Sequence, residues 1–289
     1  MTRTLKTVAI AIAVVVTSVV LGIAATRQNR SQAADAASPP ATESGQGARQ
    51  AAGNQSTPPA DARREGSAMA AIRQAAVVNR HVFLFIYDKN DDQTKTARKA
   101  LESAVGKMAD KADSAAVDRS APAEKAIVEK YGLDTAPMPL ILAVAPNGVV
   151  TGGFPANQLS EEKLQGALAS PAMQKCLKAL QERKLVILCA QNAATKANSE
   201  AMSGVQAFKD DDRFSQITEI VKLDPADAGE AAFMAKIQLD PKTDQAMTLV
   251  MAPPGAIVAS FKGATDKVTL FTAIQKGCSS GGCSSGACK

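Results

Sequence analysis

Apolar and polar positions fall along this chain in distinct regimes. The first is a charge-free run, TVAIAIAVVVTSVVLGIAA from Thr7 to Ala25, preceded by Arg3 and Lys6. From Thr26 to about Gly66 no apolar position recurs, and Ala, Gln, Ser, Gly and Pro dominate. Such a segment gains too little from burial to offset its ordering entropy, so it is expected to be a disordered tether. Periodicity returns at Ser67. SAMAAIRQAAVVNR carries Met69, Ile72 and Ala76 at helical spacing, and HVFLFIYD is a continuous apolar run of the buried-strand kind. DKNDDQTKTARKALESAVGKM predicts a helix with Asp91 or Asp92 as its N-cap. SAAVD predicts a strand, and APAEKAIVEKYG a helix with Pro122 near its start and Gly132 at its end. PLILAVAPNGVVTGGF reads as a hairpin around Pro146, Asn147 and Gly148. LSEEKLQGALAS reads as a closing helix capped by Ser160, with Lys163 where a full capping box has Glu or Gln.

The order then comes round again, roughly a hundred residues on. KLVILCAQ is a buried strand, ATKANSEAMSGVQAFKDDDRF a helix, QITEIVKLD a strand and ADAGEAAFMAKIQLD a helix. MTLVMAPPGAIVASFKG is a hairpin around Pro253, Pro254 and Gly255, and TDKVTLFTAIQKG closes the unit. LILAVAPNGVV and MTLVMAPPGAI align without a gap. SPAMQKCLKALQER joins the copies and opens the second. The expected organisation is a membrane or signal segment at 1–25, a linker at 26–66, domains at 67–170 and 171–277, and a Cys/Gly/Ser tail at 278–289.

Composition alters this picture in two ways. With no Trp, two Tyr and eight Phe, the cores must be built of Ala, Val, Leu, Ile and Met. The net charge of +5 comes from cations scattered among acids, without a basic run interleaved with aromatics, so no nucleic-acid partner is expected. The N-terminal run is long enough to span a membrane, since about 18 apolar residues cross a ~30 Å hydrocarbon core. It is long for a signal peptide, although Gly22, Ala24 and Ala25 permit cleavage, and no Cys follows for acylation. A single-pass anchor with the domains outside the cytoplasm, in the cell envelope, is the first expectation. The alternative is a cleaved signal releasing a secreted or periplasmic protein.

The repeated unit resembles the thioredoxin fold in both halves, from Ser67 to Gly277. The resemblance rests on element order, on YGLDTAPMP before the third strand and on the Asn-Gly or Pro-Gly hairpin. It implies an α/β class with two thioredoxin-like domains, each a central mixed sheet flanked by helices. In that family a Trp-Cys-x-x-Cys stretch joins the first strand to the next helix, whose N-terminus favours the thiolate. The corresponding positions, counted along the sequence, run from Asp92 to Lys95 in the first copy and from Ala194 to Ala197 in the second. Neither holds a thiol, and a carboxylate such as Asp92 cannot exchange disulfides. The family's cis-proline is matched by Pro139, with Pro137 the poorer choice. The second copy has Ala246 there, where a trans bond is expected because non-proline cis costs ~3 kcal/mol. The resemblance thus implies the scaffold without its usual catalytic dithiol or any cofactor. It also implies a groove at Met138 and Pro139, where the family offers backbone groups to extended clients.

The sulfur lies elsewhere. Cys278, Cys283 and Cys288 form a C-x4-C-x4-C array among Gly, Ser and Ala. Three soft thiolates suit Zn or Cu(I), though the spacing is not that of the usual zinc pairs. They could equally form exchangeable or intermolecular disulfides, or have no specific chemistry. Cys189, in a strand, reads as a packed thiol, and Cys176 as core or as the partner of a tail cysteine. His81 reads as a partly exposed strand-end residue. Asp88, Asp91 and Asp92 read as loop and cap residues, and Asp210, Asp211 and Asp212 as solvated charge. The functional expectation is an extracytoplasmic protein tethered to the membrane that binds a protein or peptide without catalysis. The alternative is a thiol–disulfide oxidoreductase or metal-handling protein that uses its tail.

Overall fold

A computed structural model describes residues 66–279. The expected membrane segment, nearly all of the linker, Cys283 and Cys288 lie outside the described residues. Among the described residues no helix is long and apolar enough to cross a membrane.

Domain 1 runs α1 (Ser67–Val77), β1 (His81–Tyr87), α2 (Asp92–Gly106), β2 (Ala112–Asp118), α3 (Lys125–Tyr131), β3 (Leu140–Val144), β4 (Val150–Pro155) and α4 (Glu161–Ala167). Domain 2 repeats it with α5 (Pro171–Gln181), β5 (Leu185–Ala190), α6 (Asn198–Lys209), β6 (Thr218–Leu223), α7 (Ala231–Lys236), β7 (Met247–Ala252), β8 (Ala256–Lys262) and α8 (Lys267–Ser279). Each domain has one four-stranded sheet, ordered β2-β1-β3-β4 and β6-β5-β7-β8. In each the first two strands are parallel and the remaining pairs antiparallel. These are two mixed sheets flanked by helices, the arrangement that two thioredoxin-like domains require.

The apolar runs explain this layering. A strand covered on both faces needs no polar alternation. In β1, Val82, Leu84 and Ile86 pack with Ile72 of α1 and Ile127 of α3, while Phe83 and Phe85 pack with Leu101 of α2 and Leu164 of α4. In β5, Val186 and Leu188 meet Leu177 of α5 and Met234 of α7, while Ile187 and Cys189 meet Val205 of α6 and Leu270 of α8. The copies also share irregularities. Register shifts fall at Ala143/Val144 and at Val250/Met251. Left-handed residues follow the equivalent helices, Asn79 and Arg183 after α1 and α5, Gly132 and Gln238 after α3 and α7.

A second shared device is not evident from hydropathy. Glu124 and Glu230 end short 3-10 turns yet are only 6% and 4% exposed. Each carboxylate reaches the N-terminus of its domain's first helix. Glu124 accepts from the Ser67 hydroxyl (2.7 Å) and the Ala68 N–H (3.4 Å). Glu230 accepts from the Ser170 hydroxyl and the Ala172 N–H (2.8 Å). Both satisfy donors that an α-helix leaves unpaired in its first turn.

The domains are packed together through α5. Ala145 and Val149 of the β3–β4 hairpin belong to the same core as Met173, Leu177 and Leu180. The Asn147 side chain donates to the Gln174 carbonyl (3.0 Å), and the Gln181 amide group pairs with both the N–H and the C=O of Val150 (3.3 and 2.7 Å). His81 lies at the same junction, where its Nε2 accepts from the Ala169 N–H at 3.0 Å. It is 7% exposed, so the expectation of a partly exposed residue is corrected. Two further expectations change. The closing helix α8 runs on past Gly277 and carries the backbone of Cys278, placed by sequence in the tail. Asp211 is not solvated charge: its carboxylate holds Arg213 (2.9 Å) and Lys267 (2.6 Å), which keep its pKa well below the usual carboxylate range.

Candidate functional site

Parallel strands leave a crevice at their carboxyl ends, where a loop follows each strand. In domain 1 that end gathers the Asp88–Asp91 loop after β1, Arg119 after β2, and the segment from Leu133 to Pro139 before β3. Arg119 ties the three together. Its Nε donates to Asp88 Oδ1 at 2.6 Å and its second terminal nitrogen to Asp88 Oδ2, a two-pronged pairing that fixes orientation as well as charge. Its remaining nitrogen donates to the carbonyls of Leu133, Asp134 and Ala136 at 2.8, 3.1 and 2.9 Å. Those carbonyls line the approach to Pro139, whose bond with Met138 is cis. Arg119 is therefore a positioning residue that the sequence reading missed. A lone arginine beyond a short strand gives no signal until its acceptors are brought to it.

The helix start opposite carries no sulfur. Asp91 is the N-cap of α2, accepting from the Thr94 N–H at 2.8 Å, and this bond lowers its pKa. Thr94 is 6% exposed, so the inward-facing residue of the first turn is a threonine. Asp92 and Lys95, the positions reached by counting, pair with each other at the surface at 3.1 Å. In this arrangement the helix start offers a capped, acceptor-rich surface. What faces the crevice from the other side is backbone. Met138 and Pro139 are half-buried, and no hydrogen bond among the described residues reaches the Met138 N–H or C=O.

Domain 2 has the same frame with a different filling. Ala246 takes the place of Pro139: its carbonyl accepts from Gly263 N at 2.8 Å, as Pro139's accepts from Ala156 N at 2.9 Å. Gln245 is then the counterpart of Met138. The loop before α6 is longer than its counterpart, and Ala197, in left-handed conformation, stands at the N-cap without a side-chain cap. Ala194 lies within this loop, its N–H bonded to Asn192 Oδ1 at 2.9 Å. The Thr195 hydroxyl donates to Asn198 Oδ1 (2.7 Å), Asn198 Nδ2 to the Asn192 carbonyl (2.7 Å) and Asn192 Nδ2 to Asp224 (2.8 Å).

Of the cysteines whose side chains are described, Cys176 lies within α5 and Cys189 within β5, neither at a helix start. Cys176 and Cys189 are buried and unbridged. Burial, helped by the charge of Glu230, pushes the Cys176 thiol up to about 12, and burial pushes Cys189 up to about 11, so neither is a thiolate at neutral pH. No group of three or more His, Cys, Asp or Glu side chains converges as a metal site among the described residues.

No protein-family model matches the chain, and neither does any curated protein. Among solved structures, the zinc-bound form of human ERp44 is similar at 11% identity and a TM-score of 0.31, over 72% of this chain and 59% of that one. The NTD_N/C domain of the alkylhydroperoxide reductase AhpF from Enterococcus faecalis is similar at 13% identity and a TM-score of 0.25, over 71% of this chain and 98% of that one. The chain thus spans 59% of the length of the ERp44 structure it matches. The fold assignment stands on strand order and pairing.

Proposed function

We propose that this chain is a non-catalytic binder of extended polypeptide, held at the outer face of a cell membrane by its N-terminal segment, with domain 1 providing the grip. One observation carries the reading: Met138 offers an unpaired N–H and C=O, half-buried, beside a proline and within a frame fixed by Arg119. Unpaired backbone groups of this kind are satisfied by adding a strand, which gives affinity through main-chain hydrogen bonds. The absence of a thiol at either helix start supports binding rather than exchange. The test uses the full chain in detergent and fluorescent reduced, carboxymethylated lactalbumin, a permanently unfolded polypeptide. Met138→Pro, which removes the N–H, is expected to weaken binding about fivefold or more, and Met138→Leu to leave it unchanged. Equal affinity of wild type and Met138→Pro would overturn the reading.

A second reading places thiol–disulfide exchange or soft-metal binding, of Zn or Cu(I), on Cys278, Cys283 and Cys288. It is favoured by the burial of the other two sulfurs, which leaves the tail as the source of reactive thiol. Metal analysis and thiol titration of the chain and of its triple Cys→Ser tail variant test it. Stoichiometric metal lost in the variant supports this reading, and disulfide reductase activity that survives in the variant contradicts both readings.

A further inference from the structure

We propose that domain 2 closes its own equivalent of the domain 1 grip from within, the Thr243 hydroxyl filling the backbone groups of Gln245 and the loop before α6 holding the residues on either side, so that the chain takes one extended polypeptide rather than two. The inference rests on the reading of Met138 as the grip.

The two strand ends are superposable in role, as the Ala156–Pro139 and Gly263–Ala246 bonds show, so their open and filled valences can be compared atom by atom. In domain 1 residue 139 is proline and has no N–H to offer the β1–α2 loop. In domain 2 the corresponding Ala246 has one, and it donates to the Lys196 carbonyl at 2.9 Å. The Lys196 N–H in turn donates to the Asp244 carbonyl at 3.0 Å. Lys196 thereby forms a parallel β-bridge with Gln245, as one residue of an added strand would. The bonds of this bridge run to Asp244 and Ala246 and leave the N–H and C=O of Gln245 itself, the counterparts of Met138's, facing away from the loop. Thr243 Oγ1 donates to the Gln245 carbonyl (2.8 Å) and lies 3.4 Å from its N–H, which donates back. Where Met138 has both backbone groups free, Gln245 has both taken, and the residues on either side of it are held by the loop.

The closure is built rather than incidental. Gln191 to Ala197 separates β5 from α6, against Asp88 to Asp91 between β1 and α2, and the extra length lets Lys196 reach the strand end. The loop is braced on its far side by Thr195, which is 7% exposed, and by Asn192, which is held by Asn198 and by Asp224 beyond β6. Asn192–Asp224 stands where domain 1 has Asp88–Arg119, so each domain ties its β–α loop to the end of its second strand. Only in domain 2 is that loop turned onto the strand end.

Amide hydrogen exchange by mass spectrometry on the full chain in detergent tests this, with reduced, carboxymethylated lactalbumin as the probe. In the free chain the Lys196, Gln245 and Ala246 amides are expected to be protected and Met138 not. Fast exchange at Lys196 and Ala246 would overturn the closure whatever the probe does. With the probe added, protection is expected to appear at Met138 and to stay unchanged from Thr243 to Ala246. A rise in protection at both strand ends would overturn the one-site inference. Protection at neither end would overturn the function proposed for domain 1, while the free-chain pattern would still uphold the closure. Thr243→Val is expected to speed exchange of the Gln245 amide about tenfold and to spare Ala246. An unchanged Gln245 rate in that variant would overturn the closure of that residue's backbone groups.

Discussion

His81 illustrates how one side chain can couple protonation to the joint between domains. Its Nε2 must be unprotonated to accept from Ala169, and burial lowers its pKa below the ordinary value of about 6.5. Above that value both folded and unfolded chains hold a neutral imidazole, and pH has no leverage through this group. As pH falls below about 6.5 the unfolded chain takes up a proton that the folded chain resists, so stability declines until the lowered folded value is reached. The denaturation midpoint is therefore expected to drop between about pH 7 and pH 5. In His81→Phe this part of the pH dependence should be missing, which urea titrations at several pH values would read. An identical slope in wild type and variant would place the acid sensitivity elsewhere. Domain 2 has Leu185 at the start of β5, so this titration belongs to one domain only. The pattern of the sequence hid the role: a histidine opening an apolar strand looks exposed until the chain brings Ala169 to it from 88 positions away.

The paired glutamates show an element being positioned from a distance. α1 has no side-chain cap at Gly66 and α5 none at Ser170, so the first-turn donors of both helices depend on Glu124 and Glu230. Glu124→Ala and Glu230→Ala are each expected to cost about 2 kcal/mol, because each leaves buried donors unpaired. Gln in place of either should recover part of the loss, as measured by chemical denaturation. Losses below about 0.5 kcal/mol for both would mean that water replaces the carboxylate. Gly66 belongs to the same junction, since a Cβ there would collide with the Ala123 carbonyl and the Glu124 side chain. The order of elements was legible because β1, β3, β5 and β7 are apolar runs covered on both faces, punctuated by Gly and Pro at the turns. The repeat was legible for the same reason. The helix start of α2 was legible to within one residue: the cap is Asp91, and the buried first-turn side chain is Thr94. The glutamates were not, because nothing in the patterns AEKAIVEK and GEAAFMAK marks their acids for burial, which depends on partners 56 to 60 positions away. The two strand ends were half legible: Pro139 and Ala246 could be matched by spacing, but the reach of Lys196 to Asp244 and Ala246 depends on backbone geometry that side-chain pattern does not encode.

At the scale of the whole molecule the two sheets behave as neighbours with a common core rather than as beads on a string. Ala145 and Val149 pack into the core of domain 2, and Gln181 closes on Val150. Thermal or chemical unfolding is therefore expected to be one transition. The chain provides a convenient check, since its two tyrosines, Tyr87 and Tyr131, both lie in domain 1 and there is no Trp. Tyrosine fluorescence reports domain 1 alone and far-ultraviolet circular dichroism reports both, so coincident curves support a single unit. Val149→Asn, which puts an amide into the shared core, should separate the curves, and curves already separate in the wild type would refute the coupling. The placement of β3 has a mechanical consequence. Its first residue, Leu140, follows the grip proposed at Met138 and Pro139, and its last, Val144, leads into the hairpin seated on α5. Between them it is flanked by β1 and β4. A tug on a captured polypeptide would thus load β3 lengthwise, straining its ladder bonds all at once instead of peeling them singly, with domain 2 as the counterweight that keeps the strand from sliding.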